Sequence, residues 1–234
     1  MRIAVAGGTG VVGRHAVEAA RAAGHEVVVL SRSSGADVLT GAGLDERMQG
    51  ADAVIDVTNT TTLSAAKAVK FFETATRNLL AAESRAGVTH HVALSIVGID
   101  GIDASYYAGK LAQERAVAAG SVPFTIARAG QFHEFAGQLL SRMSGPVAVL
   151  PKLLMRPVAA REVGEHLVRV AEGAPAGRAS DLVGPRNEVL ADVARRQLAF
   201  DGVRRRVLGV RLPGAYGRGP VSYTHLRAHE TPEH

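Results

Sequence analysis

The stretch Ile3-Ala4-Val5-Ala6-Gly7-Gly8-Thr9-Gly10-Val11-Val12-Gly13 decides the fold of this chain. Its apolar start is typical of a buried strand, its glycines mark a tight turn, and a pattern of helical period follows. Gly7 permits the turn, Gly10 lets an anion approach the main chain, and Gly13 lets the helix lie close to the strand. In this strand–turn–helix setting, the stretch predicts a loop that binds the diphosphate of a dinucleotide.

Main-chain amides at the start of the helix would be the donors to that diphosphate, helped by the positive end of the helix dipole. The residues that we assign to this loop are Gly7, Thr9, Gly10, Val11, Val12 and Gly13. The spacing Gly-x-x-Gly-x-x-Gly differs by one position from Gly-x-Gly-x-x-Gly, and the alternative interpretation is a glycine-rich turn that binds no ligand.

The end of the second predicted strand, Glu26 to Leu30, bears on the choice of cofactor. Its continuous apolar run is typical of a buried parallel strand. An acidic side chain at its end would accept from the ribose 2′-hydroxyl of NAD, but the chain has Ser31-Arg32 there and no acidic residue before Asp37. Arg32 can bind a 2′-phosphate bidentately and Ser31 can donate to it, so we expect NADP rather than NAD. The alternative is that Arg32 is a solvated loop residue.

Small or polar side chains follow the later predicted strands. Strand and helix alternate at α/β spacing, so the carboxyl ends of the strands meet at the edge where an open α/β sheet binds its ligand. A short third strand from Asp37 to Leu39 would place Asp37 and Val38 beside the adenine. Thr58 and Asn59 at one later strand end and Ala129 at another are expected to bind the cofactor, and Ser95 lies at a third. The turn after the sixth strand, Gln131-Phe132-His133, is expected to contact the substrate.

The composition argues against several classes of protein. Without cysteine, neither a disulfide framework nor a thiolate metal site can form. His90-His91 lack partners at ligand spacing, so we expect no metal. A net charge of +5 comes from scattered arginines rather than from a basic stripe with aromatics, which argues against a nucleic-acid partner. We see no signal peptide and no membrane-spanning run, and we expect a cytoplasmic protein with a small-molecule substrate and no membrane contact.

The length of 234 residues is suited to a single well-buried α/β domain. We predict that this domain runs from 1 to 219 and that its part from 132 to 219 forms a small substrate-side lobe. The polar run from 220 to 234 has no periodicity and resembles the translated adapter sequence found at the ends of misassembled reading frames. We therefore expect a non-native tail there.

The glycine loop, Ser95, Tyr106-x-x-x-Lys110 and the turn Arg128-Ala129-Gly130-Gln131-Phe132 together resemble the short-chain dehydrogenase/reductase superfamily. The resemblance is to its atypical NmrA-like branch of small bacterial proteins, and it covers residues 1 to 219. It implies a Rossmann-type doubly wound parallel sheet that binds NADP(H), often in a reductase of quinones or other small carbonyl compounds. Some relatives only sense the cofactor and regulate a protein partner.

Three residues could carry the chemistry of a reductase. Tyr106 and Lys110 lie four positions apart on one helix face, and the ammonium would lower the phenol's pKa, which is about 10 in model peptides. Lys110 could also hold the nicotinamide ribose, and Ser95 could hydrogen-bond the substrate oxygen. Ser95 stands closer to Tyr106 than in the superfamily's better-known enzymes, and Tyr107 is a rival proton donor. The alternative for Tyr106 is a packing role at a helix start.

These observations leave two functions from different classes. We favour an NADP-dependent reductase of a small carbonyl or quinone compound, an oxidoreductase. The alternative is a non-catalytic sensor that binds NADP(H) through the same loop and signals to a protein partner. An epimerase or lyase that retains its nicotinamide is less favoured, because the part of the chain after Phe132 is small for a sugar nucleotide.

Overall fold

Strands alternate with helices along most of the chain, as the apolar pattern predicts. The structure is a computed structural model that describes residues 1–211. Its strands are β1 (Arg2–Ala6), β2 (Glu26–Leu30), β3 (Ala53–Asp56), β4 (His90–Ile96), β5 (Phe124–Ala129), β6 (Val147–Pro151), β7 (Leu154–Met155), β8 (Gly177–Arg178), β9 (Glu188–Val189) and β10 (Arg206–Val210). Its α-helices are α1 (Val11–Ala22), α2 (Leu44–Met48), α3 (Ala65–Ala86), α4 (Ser105–Ala118), α5 (Glu134–Ser141), α6 (Ala160–Glu172) and α7 (Leu190–Phe200).

The chain divides into two compact units. The first comprises Met1–Ser95, Ile99–Ala129 and Ala160–Asp181, and the second comprises Ile96–Gly98, Gly130–Ala159 and residues 182–211. The predicted domain boundaries stay a prediction, and the predicted tail from 220 to 234 lies outside the described residues. No helix within residues 1–211 combines the length and the apolar character needed to cross a membrane.

The first unit is built on a six-stranded sheet with the order β2-β1-β3-β4-β5-β8. β1 pairs in parallel with both β2 and β3, β3 pairs in parallel with β4, and β5 pairs in parallel with β8. The chain therefore moves outward from β1 to β2 and then crosses back to β3. That reversal puts a topological switch point between β1 and β3, and the α/β fold class is confirmed.

The expected strand from Asp37 to Leu39 is wrong, because this segment closes into a turn. The amide of Asp37 donates to the carbonyl of Ala42, and the amide of Gly41 donates to the carbonyl of Asp37. The side-chain amide of Asn78, on α3, donates to the carbonyls of Val38 and Leu39 at 2.9 and 3.0 Å. The turn and the Asn78 side chain thus occupy the backbone groups that would otherwise pair with a neighbouring strand.

The second strand is parallel, as predicted, but it is not buried on both faces. Val27, Val28 and Val29 are half-buried, and only Leu30 is fully buried. The reason is position, because β2 lies at the edge of the sheet with β1 as its neighbour. A continuous apolar run therefore does not separate an edge strand from a central strand here.

Close helix packing in the first unit depends on two helical glycines. A Cβ at Gly109 on α4 would lie 2.8 Å from the backbone of Ala68, so α3 and α4 approach closely there. A Cβ at Gly164 on α6 would lie 2.7 Å from the backbone of Ala16, which brings α6 equally close to α1. Phe72 on α3 is fully buried, and burial of such a side chain stabilises the fold by about 1.5–3 kcal/mol.

The second unit has its own small core. β6 and β10 pair in parallel, while β7 and β9 pair antiparallel. Leu150, Met155 and Leu190 are fully buried in this core, together with residues of α5 and α7. Leu182 forms only an isolated bridge, and the short strand β9 directly precedes α7.

Candidate functional site

The glycine turn after β1 has the geometry that its sequence predicts. Gly7 has a φ of +79°, which favours glycine, and its amide donates to the carbonyl of Leu30 at 3.1 Å. A Cβ at Gly13 would lie 2.1 Å from the carbonyl oxygen of Gly7, so only glycine fits there. The start of α1 is therefore pressed against the turn, which confirms the role expected for these two glycines.

The amino end of α1 presents main-chain amides without a competing side chain. Its N-cap is Gly10, which has no side chain, and its first turn has no acidic residue. The first helical hydrogen bond runs from the amide of Arg14 to the carbonyl of Gly10, so the amides of Val11, Val12 and Gly13 precede it. These amides and the helix dipole are the groups that would bind an anion at the switch point of the sheet.

The segment after β2 is a single 3₁₀ turn that exposes the predicted phosphate contact. The Ser34 hydroxyl oxygen lies 2.7 Å from the carbonyl oxygen of Val29 and 2.9 Å from that of Ser31, and the Ser31 hydroxyl lies 3.0 Å from that of Ser33. Arg32 is exposed at the start of this turn. Asp37, expected beside the adenine, uses its carboxylate to accept from the amide of Leu39 at 2.8 Å, and Val38 is half-buried.

Two buried hydroxyls lie at the carboxyl ends of β3 and β4. Thr58 and Ser95 are 6% and 3% exposed. Their hydroxyl oxygens have no hydrogen-bond partner within residues 1–211. A buried polar atom without a partner costs about 1–3 kcal/mol, which a bound ligand that supplies the hydrogen bond would recover. Both were predicted from their positions at strand ends.

Tyr106 lies at the start of α4 and is tied to the loop after β3. Its hydroxyl donates to the side-chain oxygen of Asn59 at 2.8 Å, and its ring packs edge-on against Phe72. The expected lowering of its pKa is wrong: burial raises the pKa of Tyr106, and the neighbours Tyr107 and Asp56 raise it further. Its phenol therefore stays protonated throughout the physiological range.

The residue before Tyr106 is strained. Ser105 has a φ of +51°, which non-glycine residues rarely adopt, and its hydroxyl donates to the carbonyl of Leu63 at 2.8 Å. Such strain costs about 1–3 kcal/mol and persists only where its surroundings enforce it. Together with the bond from Tyr106 to Asn59, it fastens the loop from 57 to 64 to the start of α4.

Lys110 is buried, and its ammonium has two acceptors. It donates to the carbonyl of Leu94 at 2.6 Å and to the side-chain oxygen of Gln113, and it lies 4.6 Å from the centre of the Phe72 ring. Burial lowers the pKa of Lys110 to about 8, although the carboxylates of Asp56 and Glu114 raise it.

Asp56 and Gln113 were missed by the sequence reasoning. Both are fully buried, and the Gln113 amide donates to Asp56 at 2.8 Å. A carboxylate that ends an otherwise apolar strand, Ala53–Asp56, was the available signal, and Gln113 lies on α4 three positions after Lys110.

The end of β5 carries a buried arginine beside the predicted cofactor residue Ala129. Arg128 is 3% exposed and binds the carboxylates of Asp100 and Glu114, each with two hydrogen bonds. The guanidinium lowers the pKa of Asp100. Arg128 thus joins β5 to α4 and to the segment before it.

The residues predicted to contact the substrate lie in the second unit. The carbonyl of Gln131 accepts from the amide of Val158, and the amide of His133 donates to the carbonyl of Val158. Phe132 forms an isolated bridge with the same residue, and His133 is exposed at the N-cap of α5. The side-chain oxygen of Gln131 is buried without a hydrogen-bond partner within residues 1–211. Their contact with a substrate stays a prediction.

A family model for the NAD-dependent epimerase/dehydratase family matches residues 3–119. The chain belongs to this family. The match contains the glycine turn, the end of β3, Ser95 and the whole of α4. Since the family is part of the short-chain dehydrogenase/reductase superfamily, the superfamily resemblance is confirmed. Membership of the NmrA-like branch stays a prediction. No curated protein sequence matches the chain.

Solved structures of this superfamily share the fold of this chain. MoeE5 in complex with UDP-glucose and NAD is 19% identical with a TM-score of 0.72, over 90% of this chain and 85% of that one. The NADPH-dependent quinone oxidoreductase QOR2 of Escherichia coli, complexed with NADPH, is 19% identical with a TM-score of 0.68, over 90% and 78%.

The triphenylmethane reductase of Citrobacter sp., complexed with NADP(H), is 16% identical with a TM-score of 0.69, over 100% of this chain and 92% of that one. At these identities the likeness shows the fold, which is that of NAD(P)-binding oxidoreductases. The group includes epimerase-type proteins as well as reductases, so the fold leaves the reaction open.

Proposed function

We propose that this protein is an NADPH-dependent reductase of a small carbonyl or quinone compound. The observation that carries the proposal is the amino end of α1, where a glycine N-cap and the amides of Val11, Val12 and Gly13 lie at the switch point of the sheet. Thr58 and Ser95 support it, because their buried hydroxyls lack partners among the described residues. When bound, the cofactor supplies a hydride from its nicotinamide.

The side chains after β2 support a preference for NADP. A 2′-phosphate carries negative charge, and the exposed Arg32 can bind it bidentately beside the hydroxyls of Ser31 and Ser33. Residues 31–36 after the strand include no carboxylate that could accept from a ribose 2′-hydroxyl, and the next acidic residue in the chain, Asp37, accepts from the amide of Leu39.

Three residues would act on the substrate oxygen and the nicotinamide ribose. Ser95 donates a hydrogen bond to the oxygen on which charge develops, and Tyr106 gives that oxygen its proton. Lys110 offers the third N–H of its ammonium to the ribose, since Leu94 and Gln113 accept from the other two. Because the pKa of Tyr106 is raised, its phenol holds the proton that a reduction consumes.

The same observation about Tyr106 favours a second candidate, a sensor of NADP(H) without turnover. A tyrosine that exchanges protons readily near neutral pH needs a lowered pKa, and here burial raises it. A sensor would bind the cofactor through the glycine turn and would signal to a protein partner. Turnover of NADPH with a panel of quinones and aldehydes separates the two functions.

The Tyr106→Phe variant tests the proton donor. We expect turnover to fall by about 10²–10⁴-fold, the usual contribution of a general acid, while the Kd for NADPH changes little because the phenol contacts the substrate oxygen. Tyr107→Phe is the matched control and should keep its turnover. Normal rates in Tyr106→Phe, or a loss in Tyr107→Phe instead, would remove Tyr106 from this role.

The Arg32→Ala variant tests the preference for NADP. Loss of a charge-assisted contact with the 2′-phosphate should weaken NADPH binding by about 1.5–3 kcal/mol and leave NADH binding unchanged. Isothermal titration with both coenzymes measures this difference. An unchanged affinity for NADPH would contradict the role of Arg32 and leave the choice between NAD and NADP open.

A further inference from the structure

Asp56 and Gln113 are two fully buried polar residues to which the proposed reaction gives no part. They are 0% and 1% exposed, and 57 positions separate them in the chain. Burial of a carboxylate destabilises the fold by several kcal/mol unless its charge is compensated. An apolar pair of similar volume would fill the same space without this penalty. The arrangement around them shows what compensates that cost.

The side-chain amide of Gln113 bridges a carboxylate and an ammonium. Its nitrogen donates to Asp56 at 2.8 Å, and its oxygen accepts from Lys110. An ammonium only donates and an ionised carboxylate only accepts, so these two neighbours determine which way round the amide lies. A neutral side chain needs both a donor and an acceptor to join the two charges, and Gln113 has both.

The other oxygen of Asp56 holds the turn after β3. It accepts from the amide of Thr58 at 2.8 Å, and the next residue, Asn59, accepts from the hydroxyl of Tyr106. One carboxylate is therefore linked to Lys110 through Gln113 and to the Tyr106 partner through Thr58. The contacts join β3 to α4 at both residues of the Tyr-x-x-x-Lys pair.

The bridge also directs the ammonium. Lys110 donates to the carbonyl of Leu94, one residue before Ser95 on β4. The charged groups that act on the ammonium are Asp56 on β3 and Glu114 on α4, and the ring of Phe72 on α3 faces it. Burial opposes its charge, and the carboxylate behind the amide favours it.

We propose that Asp56 and Gln113 are positioning residues for Lys110, and that they keep its ammonium charged and directed at the end of β4. Asp56 supplies the compensating charge, and Gln113 transmits it through two hydrogen bonds. The importance of this for turnover rests on the proposed function. The state of the ammonium itself can be measured whether or not the protein is a reductase.

The direct test is a pH titration of the lysine Nζ resonances by NMR on the full ¹⁵N-lysine-labelled chain. The chain has four lysines, Lys67, Lys70, Lys110 and Lys152, so the signal of Lys110 is identified by its loss in Lys110→Arg. Asp56→Asn keeps the shape but removes the charge, and it should lower the pKa of Lys110 by about one unit or more. Gln113→Met keeps the length but removes both hydrogen bonds, and it should shift this pKa in the same direction.

Gln197→Met is the matched control, because the half-buried Gln197 on α7 donates to the exposed Asp201 and has no contact with Lys110 in its hydrogen bonds. It should leave the Lys110 titration unchanged. A Lys110 pKa that is the same in the wild type, Asp56→Asn and Gln113→Met overturns the proposal. If Asp56→Asn does not fold, Gln113→Met decides alone, since it changes no charge.

The pH dependence of kcat for NADPH consumption is the second readout. If the wild type turns over, its alkaline limb should move to lower pH in Gln113→Met together with the Lys110 titration. A shifted titration with an unmoved kcat profile would overturn the positioning role. If the wild type turns over no substrate, the proposed reductase fails, while the NMR titration still decides whether Asp56 and Gln113 control the ammonium.

Discussion

At the scale of single residues, the glycines of the first turn depend on space more than on chain flexibility. Gly13 lies within α1, where the backbone suits any residue, yet a Cβ there would lie 2.1 Å from the carbonyl oxygen of Gly7. Gly7 is different, because its φ of +79° is itself unfavourable for other residues. Gly13 is needed for steric reasons and Gly7 for its backbone conformation, and both contribute to the same tight junction between β1 and α1.

The Gly13→Ala variant should destabilise the protein by about 1–3 kcal/mol, because the added methyl group has to displace backbone atoms. Binding of NADPH should weaken as the helix start moves away from the turn. Urea unfolding and isothermal titration measure the two effects. Gly137→Ala on α5 is the control, since nothing lies within 4 Å of its added Cβ, and it should keep or raise stability. Equal stability of the two variants would contradict the prediction.

At the scale of elements, α3 is joined to β4 by a fully buried ion pair. Nδ1 of His91 lies 2.8 Å from Glu83, and both side chains are inaccessible to water. Burial lowers the pKa of His91, but the charge and hydrogen bond of Glu83, together with the charge of Asp56, outweigh burial, and the net shift is upward. The protonated imidazole is thus favoured in the folded state. This contribution to stability is fully present below the unfolded pKa and is lost as the pH rises through the folded pKa.

The double variant Glu83→Gln/His91→Gln removes both titrating groups. We expect the free energy of unfolding of the wild type, relative to this variant, to be larger at pH 6 than at pH 9. Urea unfolding at several pH values measures it. His25→Gln/Glu172→Gln is the control, because that pair also lies at 2.8 Å but Glu172 is 40% exposed, and water screens it. A difference that rises with pH would show that the imidazole is neutral in the fold.

At the scale of the whole molecule, cofactor binding should raise the free energy of unfolding and the Tm of the protein. A ligand that binds only the folded state, at 100 times its Kd, stabilises by about 2.7 kcal/mol. For a chain of this size that corresponds to a rise in Tm of about 5–11 °C. NADPH should produce this rise in a thermal melt of the full chain, and NADH at the same concentration should produce less. If neither coenzyme raises the Tm, the protein does not bind them and the proposed function is wrong.

Much of the fold could be predicted from the sequence, because its signals are local. The strand Glu26–Leu30 is found with the predicted bounds, and α1 directly follows the glycine turn, as the helical period there predicts. The missing strand at Asp37 to Leu39 shows the limit. Whether that segment joins a sheet depends on Asn78, about 40 positions away, which takes two of its carbonyls.

In the candidate site too, features set by local sequence could be predicted, and features set by distant residues could not. The glycine turn, Ser95 and the Tyr106–Lys110 pair could be named from spacing, because strand ends and helix faces follow from periodicity. The direction in which the Tyr106 pKa shifts could not be predicted from the sequence, since it depends on burial and on the neighbours Tyr107 and Asp56. Gln113 likewise has no local signature in the sequence. One of its partners is the Lys110 ammonium, three residues earlier on α4, and the other is the Asp56 carboxylate on β3.

The sequence by itself determined that β1 leads through a glycine turn into α1, because a missing Cβ and an apolar period act between near neighbours in the chain. Only the tertiary structure decided the charge environment of that site. Which carboxylate faces Lys110, which groups surround the Tyr106 phenol and which strand lies at the sheet edge all depend on residues far apart in sequence. Electrostatic energies inside a protein follow distance in space and burial, and a sequence pattern records neither.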